Sequence, residues 1–234
     1  MKYPPIQFSD EIVRAIIEGR KTQTRRVVKW PIYSVRHHGT RRVFTCDMAD
    51  KVNACLERMA AGENVHPHDT VVTKYGLPGD RLWVREAWNV CPEDQCIPGE
   101  YTQVSHWNRS QRIVYRATVP SSTHPDHPEW GEQRWRSSML MPRWASRIEL
   151  EVVSARVERL QDISEEDALA EGVPCSAWDE EDWVDSDGYP TCGDQRAKLA
   201  REEFVDLWES INGKKAPWAS NQFVWRIEFK KVQP

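Results

Sequence analysis

The spacing of apolar residues along the chain predicts four amphipathic helices. Apolar residues recur every three or four positions over residues 8–17, so one face of that segment can be buried as a helix. Ser164 is a typical N-cap residue, and the acidic residues after it suit the first turn of a short helix. The predicted helices cover residues 9–18, 47–61, 164–172 and 195–211.

Alternation of apolar and polar residues predicts strands between these helices. The clearest alternation lies over residues 148–157, where apolar and charged side chains take turns. Further strands are predicted at residues 81–86, 113–117 and 223–232. Residues 89–112 and 119–136 are rich in Pro, Ser, His and Trp, and are predicted to be loop-like. Short strands among scattered helices indicate an α+β domain with a small β-barrel or a curled sheet.

The composition is that of a globular chain without a membrane segment. The chain has 234 residues, 39% of them hydrophobic, which is enough to bury a sizeable core in one or two domains. It has no apolar run of about 18 residues, and it begins without the apolar stretch of a signal peptide. We therefore expect a cytoplasmic protein whose six cysteines are reduced thiols.

The net charge of −4 conceals a strong asymmetry along the chain. Residues 1–45 hold ten Lys and Arg against three Asp and Glu, a balance of +7. Residues 162–209 hold sixteen Asp and Glu against three Lys and Arg, a balance of −13. A basic segment is typical of a protein that binds anions or nucleic acid, whereas the acidic segment would repel a long phosphate backbone. A local basic pocket fits both facts better than a surface that coats nucleic acid.

Residues 19–26 are the most informative segment, because they place three arginines, one lysine and two threonines within eight positions. Gly19 is typical of the residue that follows a helix, so the segment is expected to start a turn or a strand. In a strand, Lys21 and Thr24 would face opposite sides, whereas in a turn they can converge. The alternative is a solvated basic turn, since charge runs are commonly exposed.

This segment and three later motifs resemble the ASCH domain, a family with a PUA-like β-barrel fold. Residues 19–26 have the spacing of glycine, lysine, threonine and arginine with which the family signature opens. The later motifs follow in family order: a Gly-Asp turn and strand at 78–84, a strand-to-helix segment at 160–172, and a closing strand at 223–229. This chain is longer than compact ASCH domains, and with its motifs at residues 83–88 and 141–147 it is similar to ASCH proteins encoded by bacteriophages and prophages.

The resemblance implies a single ASCH/PUA-like domain over residues 1–234. Compared with compact members of the family, this chain carries insertions at about residues 27–79, 89–140 and 173–200. Insertions are tolerated on surfaces, but they reshape the rim of a pocket. The substrate of the compact members is therefore not transferred to this chain by the resemblance alone.

What the resemblance implies about function is the binding of RNA or of a modified base. One ASCH subfamily is an amidohydrolase that removes the acyl group from N4-acetylcytidine with a lysine, a threonine and a glutamate. Carried over by motif, these catalytic residues are Lys21, Thr24 and Glu171. Many ASCH proteins have a glutamate at the position of Thr24, so the hydroxyl here favours the hydrolase subfamily.

The chemistry of such a triad can also be argued from the residues. A threonine hydroxyl needs an adjacent base, and a lysine serves as that base only if burial or neighbouring cations lower its pKa. Arg20, Arg25 and Arg26 are candidate cations, and Arg26 can also pair with an oxyanion or a phosphate. A glutamate can protonate the leaving amine and then activate water. The alternative is an ordinary Lys21–Glu171 salt bridge beside a threonine of structural use only.

Arginines and tryptophans in the later motifs suit the binding of phosphates and the stacking of bases. With Arg20 and Arg26, we select Arg85, Trp88 and Arg143 as candidate substrate-binding residues, although packing in the core or rim is the alternative for each tryptophan. The expected partner is a nucleoside or single-stranded nucleic acid. A non-catalytic RNA-binding module and a phage accessory protein that binds a host protein remain alternatives.

No cofactor or metal is expected from the sequence. The pairs Cys91 and Cys96, His66 and His68, and His37 and His38 do not match a standard zinc spacing, although a site assembled from loops stays open. No Gly-rich phosphate loop or nucleophile elbow occurs. The sequence thus predicts either an amidohydrolase with a Lys/Thr/Glu triad or a binding module of the same fold.

Overall fold

A five-stranded sheet flanked by helices forms the centre of the protein. The computed structural model describes residues 3–33, 43–66, 70–71, 73–91, 102–106, 109–119, 135–173 and 193–232. In chain order the strands are β1 (Pro5–Gln7), β2 (Gln23–Val27), β3 (Ile32–Tyr33), β4 (Val43–Phe44), β5 (Arg81–Arg85), β6 (Trp88–Cys91), β7 (Thr102–His106), β8 (Arg109–Tyr115), β9 (Glu149–Arg159) and β10 (Phe223–Lys231). The helices are α1 (Asp10–Ile17), α2 (Ala49–Ala60), α3 (Glu165–Ala170) and α4 (Gly193–Asn212). The α+β class predicted from the sequence is confirmed.

The central sheet has the strand order β1-β5-β9-β10-β2. The short β1 pairs with β5 in parallel, and the other three pairings are antiparallel. The long strands β9 and β10 alternate as the sequence predicts: Leu150, Val152, Ile227 and Phe229 are buried, while charged residues between them are more exposed. These side chains pack with α1 and α2 in the main hydrophobic core.

The central sheet is strongly curled. In a flat sheet, β1 and β2 would lie four strand spacings apart, or about 19 Å. Instead the guanidinium of Arg26 on β2 reaches across and donates from Nη2 to the carbonyl oxygen of Gln7 on β1 at 2.7 Å. No backbone pairing joins these two edges within the described ranges, so the sheet there is curled but open rather than a closed barrel.

A second sheet holds a strand that we expected in the central one. The strands β6, β8 and β7 form a separate three-stranded antiparallel sheet, so residues 113–117 do not belong to the main sheet. The prediction of loop structure for residues 89–112 was also wrong where β6, β7 and β8 lie. These strands are held by backbone ladders despite a polar sequence with weak alternation, which is why the pattern missed them. The two remaining strands, β3 and β4, form a small antiparallel pair.

The four predicted helices are present with shifts of one or two residues at their ends. Ser164 caps α3 as predicted, because its hydroxyl accepts a hydrogen bond from the backbone N–H of Asp167 at 3.1 Å. Helix α4 packs on α3 through Ala200, Phe204 and Trp208, which form a second hydrophobic cluster. Among the helices in the described part of the chain, none has the length and apolar character needed to cross a membrane.

Candidate functional site

A cleft of about 440 Å³ lies where the β1–α1 junction, β2, the end of α3 and α4 meet. Its polar side is formed by Lys21, Thr24, Arg25, Arg26 and Glu171. Its apolar side is formed by α4, which contributes Phe204, Leu207, Trp208 and Ile211. The cleft therefore combines a charged floor with an apolar wall, as is typical of sites for small organic ligands.

Backbone contacts bring the basic segment into this cleft. Gly19 has a φ of +81° and ends α1, which lets the chain turn back on the helix. The N–H of Lys21 then donates to the carbonyl oxygen of Ala15 at 3.0 Å, and the N–H of Thr22 donates to that of Ala170 at 2.9 Å. Residues 21 and 22 are thus fixed between the ends of α1 and α3 before β2 begins.

Gly172 allows Lys21 and Ala15 to pack directly against the chain after α3. It has a φ of +74°, and a Cβ atom placed on it would lie 2.7 Å from the Cβ of Lys21 and 3.0 Å from that of Ala15. Only glycine leaves room for Lys21 to lie against the chain that carries Glu171. The ends of α1 and α3 can therefore approach each other closely enough for an ion pair.

Lys21 and Glu171 form that ion pair in the interior. The Lys21 Nζ donates to Glu171 Oε2 at 2.7 Å and to the Glu171 carbonyl oxygen at 2.5 Å. The two side chains are only 2% and 5% exposed. Removing one partner of such a pair leaves the other charge buried and uncompensated, which is strongly destabilising.

Arg25 holds the same carboxylate from the other side. Its Nη1 donates to Glu171 Oε1 at 3.1 Å, its Nη2 donates to Asp167 Oδ2 at 2.8 Å, and its Nε donates to Glu158 Oε1 at 2.9 Å. The Arg25 side chain is completely buried. One guanidinium is thus surrounded by three carboxylates, from β9, α3 and the residue after α3.

Burial and neighbouring charges act on Lys21 in opposite directions. Desolvation is the largest effect and lowers the pKa of Lys21 below its ordinary value of 10.5. The Glu171 carboxylate raises that pKa, and the positive charges of Arg26 and Arg25 lower it again. The net direction is downward, so the Lys21 amine is easier to deprotonate than an ordinary lysine.

Arg26 is a further cation of the cleft; it is half-buried, and it lacks an ion-pair partner within the described ranges. Its guanidinium lies 5.1 Å from the centre of the Phe8 ring and donates from Nη2 to Gln7. Its Nε is buried without a hydrogen-bond partner in that part of the chain. Desolvation lowers the pKa of Arg26. A buried donor without an acceptor is costly, and the rest of the guanidinium lines the cleft, where a ligand can bind it.

Thr24 lines the cleft near the middle of this cationic floor. It is 4% exposed, and within the described residues its hydroxyl makes no hydrogen bond. A threonine hydroxyl facing a cleft without a fixed partner can donate to or accept from a ligand. Lys21, Thr24 and Glu171 thus lie around one cavity.

The other selected residues lie outside this cleft. Arg20 is exposed and pairs with Glu18 at 2.5 Å. Arg85 is half-buried at the end of β5 and lies over the Trp83 ring at 4.7 Å. These two arginines are therefore separate from the group of Lys21, Thr24 and Glu171.

Trp88 and Arg143 also contact other parts of the protein. Trp88 is buried in a third hydrophobic cluster, where Trp144 packs edge-on against it at 6.0 Å. Arg143 forms an ion pair with Glu149. The structure places Trp88 in the core beneath the second sheet and Arg143 at the surface near Trp83.

Sequence reasoning missed the apolar wall and the carboxylates around Arg25. The wall was visible as helical spacing of Phe204, Leu207 and Ile211, but nothing in one sequence says that α4 faces β2. Asp167 and Glu158 were hidden among many acidic residues. Only the folded sheet brings them to Arg25.

Only some of the cysteines and histidines considered as metal ligands lie in the part of the chain that the structure describes. Within the described ranges, no three His, Cys, Asp or Glu side chains are grouped as a metal site would need. Cys96, His37, His38 and His68 lie outside the described residues, as does the side chain of Cys91. Most of the acidic segment 173–194 lies outside them too.

Comparison of the chain with protein-family models, with curated proteins and with solved structures found no match. The functional argument therefore depends on the geometry and chemistry of the cleft, together with the motifs of the sequence.

Proposed function

We propose that the protein is an amidohydrolase that removes the acyl group from an N4-acylated cytidine. One observation carries the proposal: Lys21, Thr24 and Glu171 line one cleft, and Lys21 is buried against Glu171. The resemblance of residues 19–26 and 160–172 to ASCH motifs suggests the substrate class, and the charged floor and apolar wall of the cleft, which suit a small organic ligand, support it. On the same ground we propose that the curled sheet corresponds to an opened PUA-like barrel.

In the first half of the proposed reaction, the acyl group moves to the enzyme. The neutral amine of Lys21 takes the proton of the Thr24 hydroxyl while the Thr24 oxygen bonds to the acyl carbon. The bond from that carbon to the exocyclic nitrogen then breaks. Lys21 returns the proton to this nitrogen, which releases cytidine and leaves an acyl ester on Thr24. The lowered pKa of Lys21 favours the neutral amine that this step needs.

In the second half, water releases the acyl group. Glu171 accepts a proton from the attacking water, whose oxygen bonds to the ester carbon. The bond to the Thr24 oxygen breaks, and this oxygen takes the proton from Glu171. The second proton of the water stays with the carboxylic acid product. In this scheme Lys21 rather than Glu171 protonates the leaving nitrogen, because Lys21 already carries the proton taken from Thr24.

Arg26 is the proposed partner for negative charge that develops on the ligand. Arg26 lies in the charged floor of the cleft, and a guanidinium in a desolvated site stabilises an oxyanion strongly. The apolar wall of α4 would accept the base or the acyl group. Both contributions fit a small ligand enclosed between the floor and α4.

A non-catalytic binding module is the second candidate, because one observation favours it. An Arg26 that lines the cleft without a carboxylate partner in the described part of the chain also fits a phosphate of a nucleic acid. This module would use the same cleft without acyl transfer.

Deacylation measured by absorbance tests the proposal. The wild-type protein is incubated with N4-acetylcytidine and related acyl cytidines, beside the variants Thr24→Ala and Thr22→Ala. We expect turnover by wild type and by Thr22→Ala, since Thr22 is exposed and lies outside the cleft. Thr24→Ala is expected to lose turnover. Full activity of Thr24→Ala would exclude the threonine nucleophile, and no turnover by wild type would exclude the reaction for these substrates.

A further inference from the structure

We propose that Arg25 is the positioning residue of the cleft, holding Glu171 so that Lys21 shares this carboxylate with a second cation. The inference rests on the proposed function, because it assigns a role in preparing the base of that reaction. Glu171 has one oxygen on Lys21 at 2.7 Å and the other on Arg25 at 3.1 Å. Its carboxylate is therefore fixed in orientation by two donors from the same segment of the chain.

The surroundings of Arg25 make its own position rigid. Asp167 Oδ2 and Glu158 Oε1 accept from it, and each of these carboxylates also pairs with a second arginine. Arg226 pairs with Asp167 Oδ1 at 2.7 Å, and Arg156 pairs with Glu158 Oε2 at 3.1 Å. A planar guanidinium bound at three of its donors cannot turn without breaking several charged hydrogen bonds.

This arrangement acts directly on Lys21. The charged groups that face Lys21 are Glu171, Arg25 and Arg26, and the Phe8 ring lies 5.9 Å from its Nζ. Without Arg25, Glu171 would pair with Lys21 alone, and one repelling cation would be lost. Both changes stabilise the ammonium form, so Arg25 favours the neutral amine that accepts the proton of Thr24.

A purely structural role for Arg25 predicts something different. Arg25 joins α3 to the sheet, so its loss destabilises the fold in either case. A clamp that acts only by joining elements would leave the protonation of Lys21 unchanged once its positive charge is kept, as it is in Arg25→Lys. The titration of Lys21 therefore separates the two roles.

The experiment follows the Lys21 side chain by NMR in protein labelled with ¹³C at lysine, with the signal assigned by Lys21→Met. The variant Arg25→Gln removes the cation next to Glu171. The matched control Arg226→Gln removes a cation that contacts Asp167 but does not contact Glu171. Arg25→Lys keeps the positive charge but lacks the planar set of guanidinium donors. It replaces Arg25→Gln in the titration if Arg25→Gln does not fold.

We expect the pKa of Lys21 to rise in Arg25→Gln, to rise less in Arg25→Lys, and to stay at the wild-type value in Arg226→Gln. In the deacylation assay, the acid limb of the pH–rate profile of Arg25→Gln should move to higher pH. Its kcat should fall by roughly 10²-fold, the loss typical of a reacting group displaced by about 1 Å.

An unchanged Lys21 titration in Arg25→Gln or Arg25→Lys, together with lower stability, would overturn the inference and leave Arg25 as a clamp. A raised Lys21 pKa without turnover in any protein, wild type included, would support the role of Arg25 and reject the hydrolase proposal. An unchanged Lys21 titration in the Arg25 variants, with normal turnover by wild type, would reject the role of Arg25 and support the hydrolase proposal.

Discussion

At the scale of single residues, the decisive feature is where β2 begins. Strict alternation over residues 20–26 would place Lys21 and Thr24 on opposite faces of a strand. The structure starts β2 at Gln23, so Lys21 lies in the irregular segment before it and can face the same cleft as Thr24. The sequence left both possibilities open, because the choice depends on contacts of the turn with α1 and α3.

The same scale explains why Gly172 cannot be replaced freely. Gly172→Ala places a methyl group against Lys21 and Ala15 and forces alanine into the left-handed region. We expect a loss of about 3 kcal/mol in the free energy of unfolding, from backbone strain and from overpacking together. Denaturation in urea measures this loss. The lysine–glutamate pair should also be displaced, which lowers kcat in the deacylation assay.

Gly62→Ala is the matched control for that substitution. Gly62 has a similar φ of +71°, but no atom lies within 4 Å of the position of its added Cβ. Its loss should be limited to backbone strain, about 1 kcal/mol. Equal losses for Gly172→Ala and Gly62→Ala would contradict the close approach at Gly172.

At the scale of elements, the sequence predicted strongly periodic segments well. The helices and the strands β5, β9 and β10 follow from apolar spacing, because each buries one face against the core. The strands β6 and β7 and the first half of β8 were missed, because they show little alternation of apolar and polar residues; of β8, only residues 113–115 were predicted as a strand. The wall that α4 forms was not predictable either, since packing partners depend on topology.

The structure makes α4 both a core element and a wall of the cleft. Trp208 is 3% exposed, packs against Phe204 and donates from its indole N–H to the carbonyl oxygen of Ala216 at 2.8 Å. Trp208→Ala should therefore cost about 3–5 kcal/mol in the free energy of unfolding. Ile211→Ala on the same helix should cost under about 0.5 kcal/mol, because Ile211 is largely exposed. Similar losses for both variants in urea denaturation would contradict this placement of α4.

At the scale of the whole molecule, the distribution of charge limits what the cleft can bind. The basic residues 1–45 contribute the floor, while the acidic residues 162–209 contribute Glu171 and the helix that forms the apolar wall. A long phosphate backbone would have to approach both. The arrangement therefore favours a small ligand over a polynucleotide.

Salt dependence measures this preference. A free nucleoside has no phosphate to neutralise, so its apparent affinity should vary little with salt concentration. Single-stranded RNA bound through phosphates would lose affinity with a log–log slope of about −0.7 per contact. Titration of N4-acetylcytidine and of labelled oligonucleotides at several salt concentrations decides between them. Tight, salt-steep binding of oligonucleotides without deacylation would favour the binding module.

The most direct test of the account is a search for the acyl group on Thr24 itself. Wild type and Glu171→Gln are mixed with N4-acetylcytidine, quenched in acid and digested, and the peptide that contains Thr24 is analysed by mass spectrometry. Glu171→Gln slows the release of the acyl group by water, so it should accumulate acetylated Thr24 while releasing about one cytidine per protein molecule. Release of cytidine without acetylation of Thr24 in either protein, or no release at all, would contradict the account.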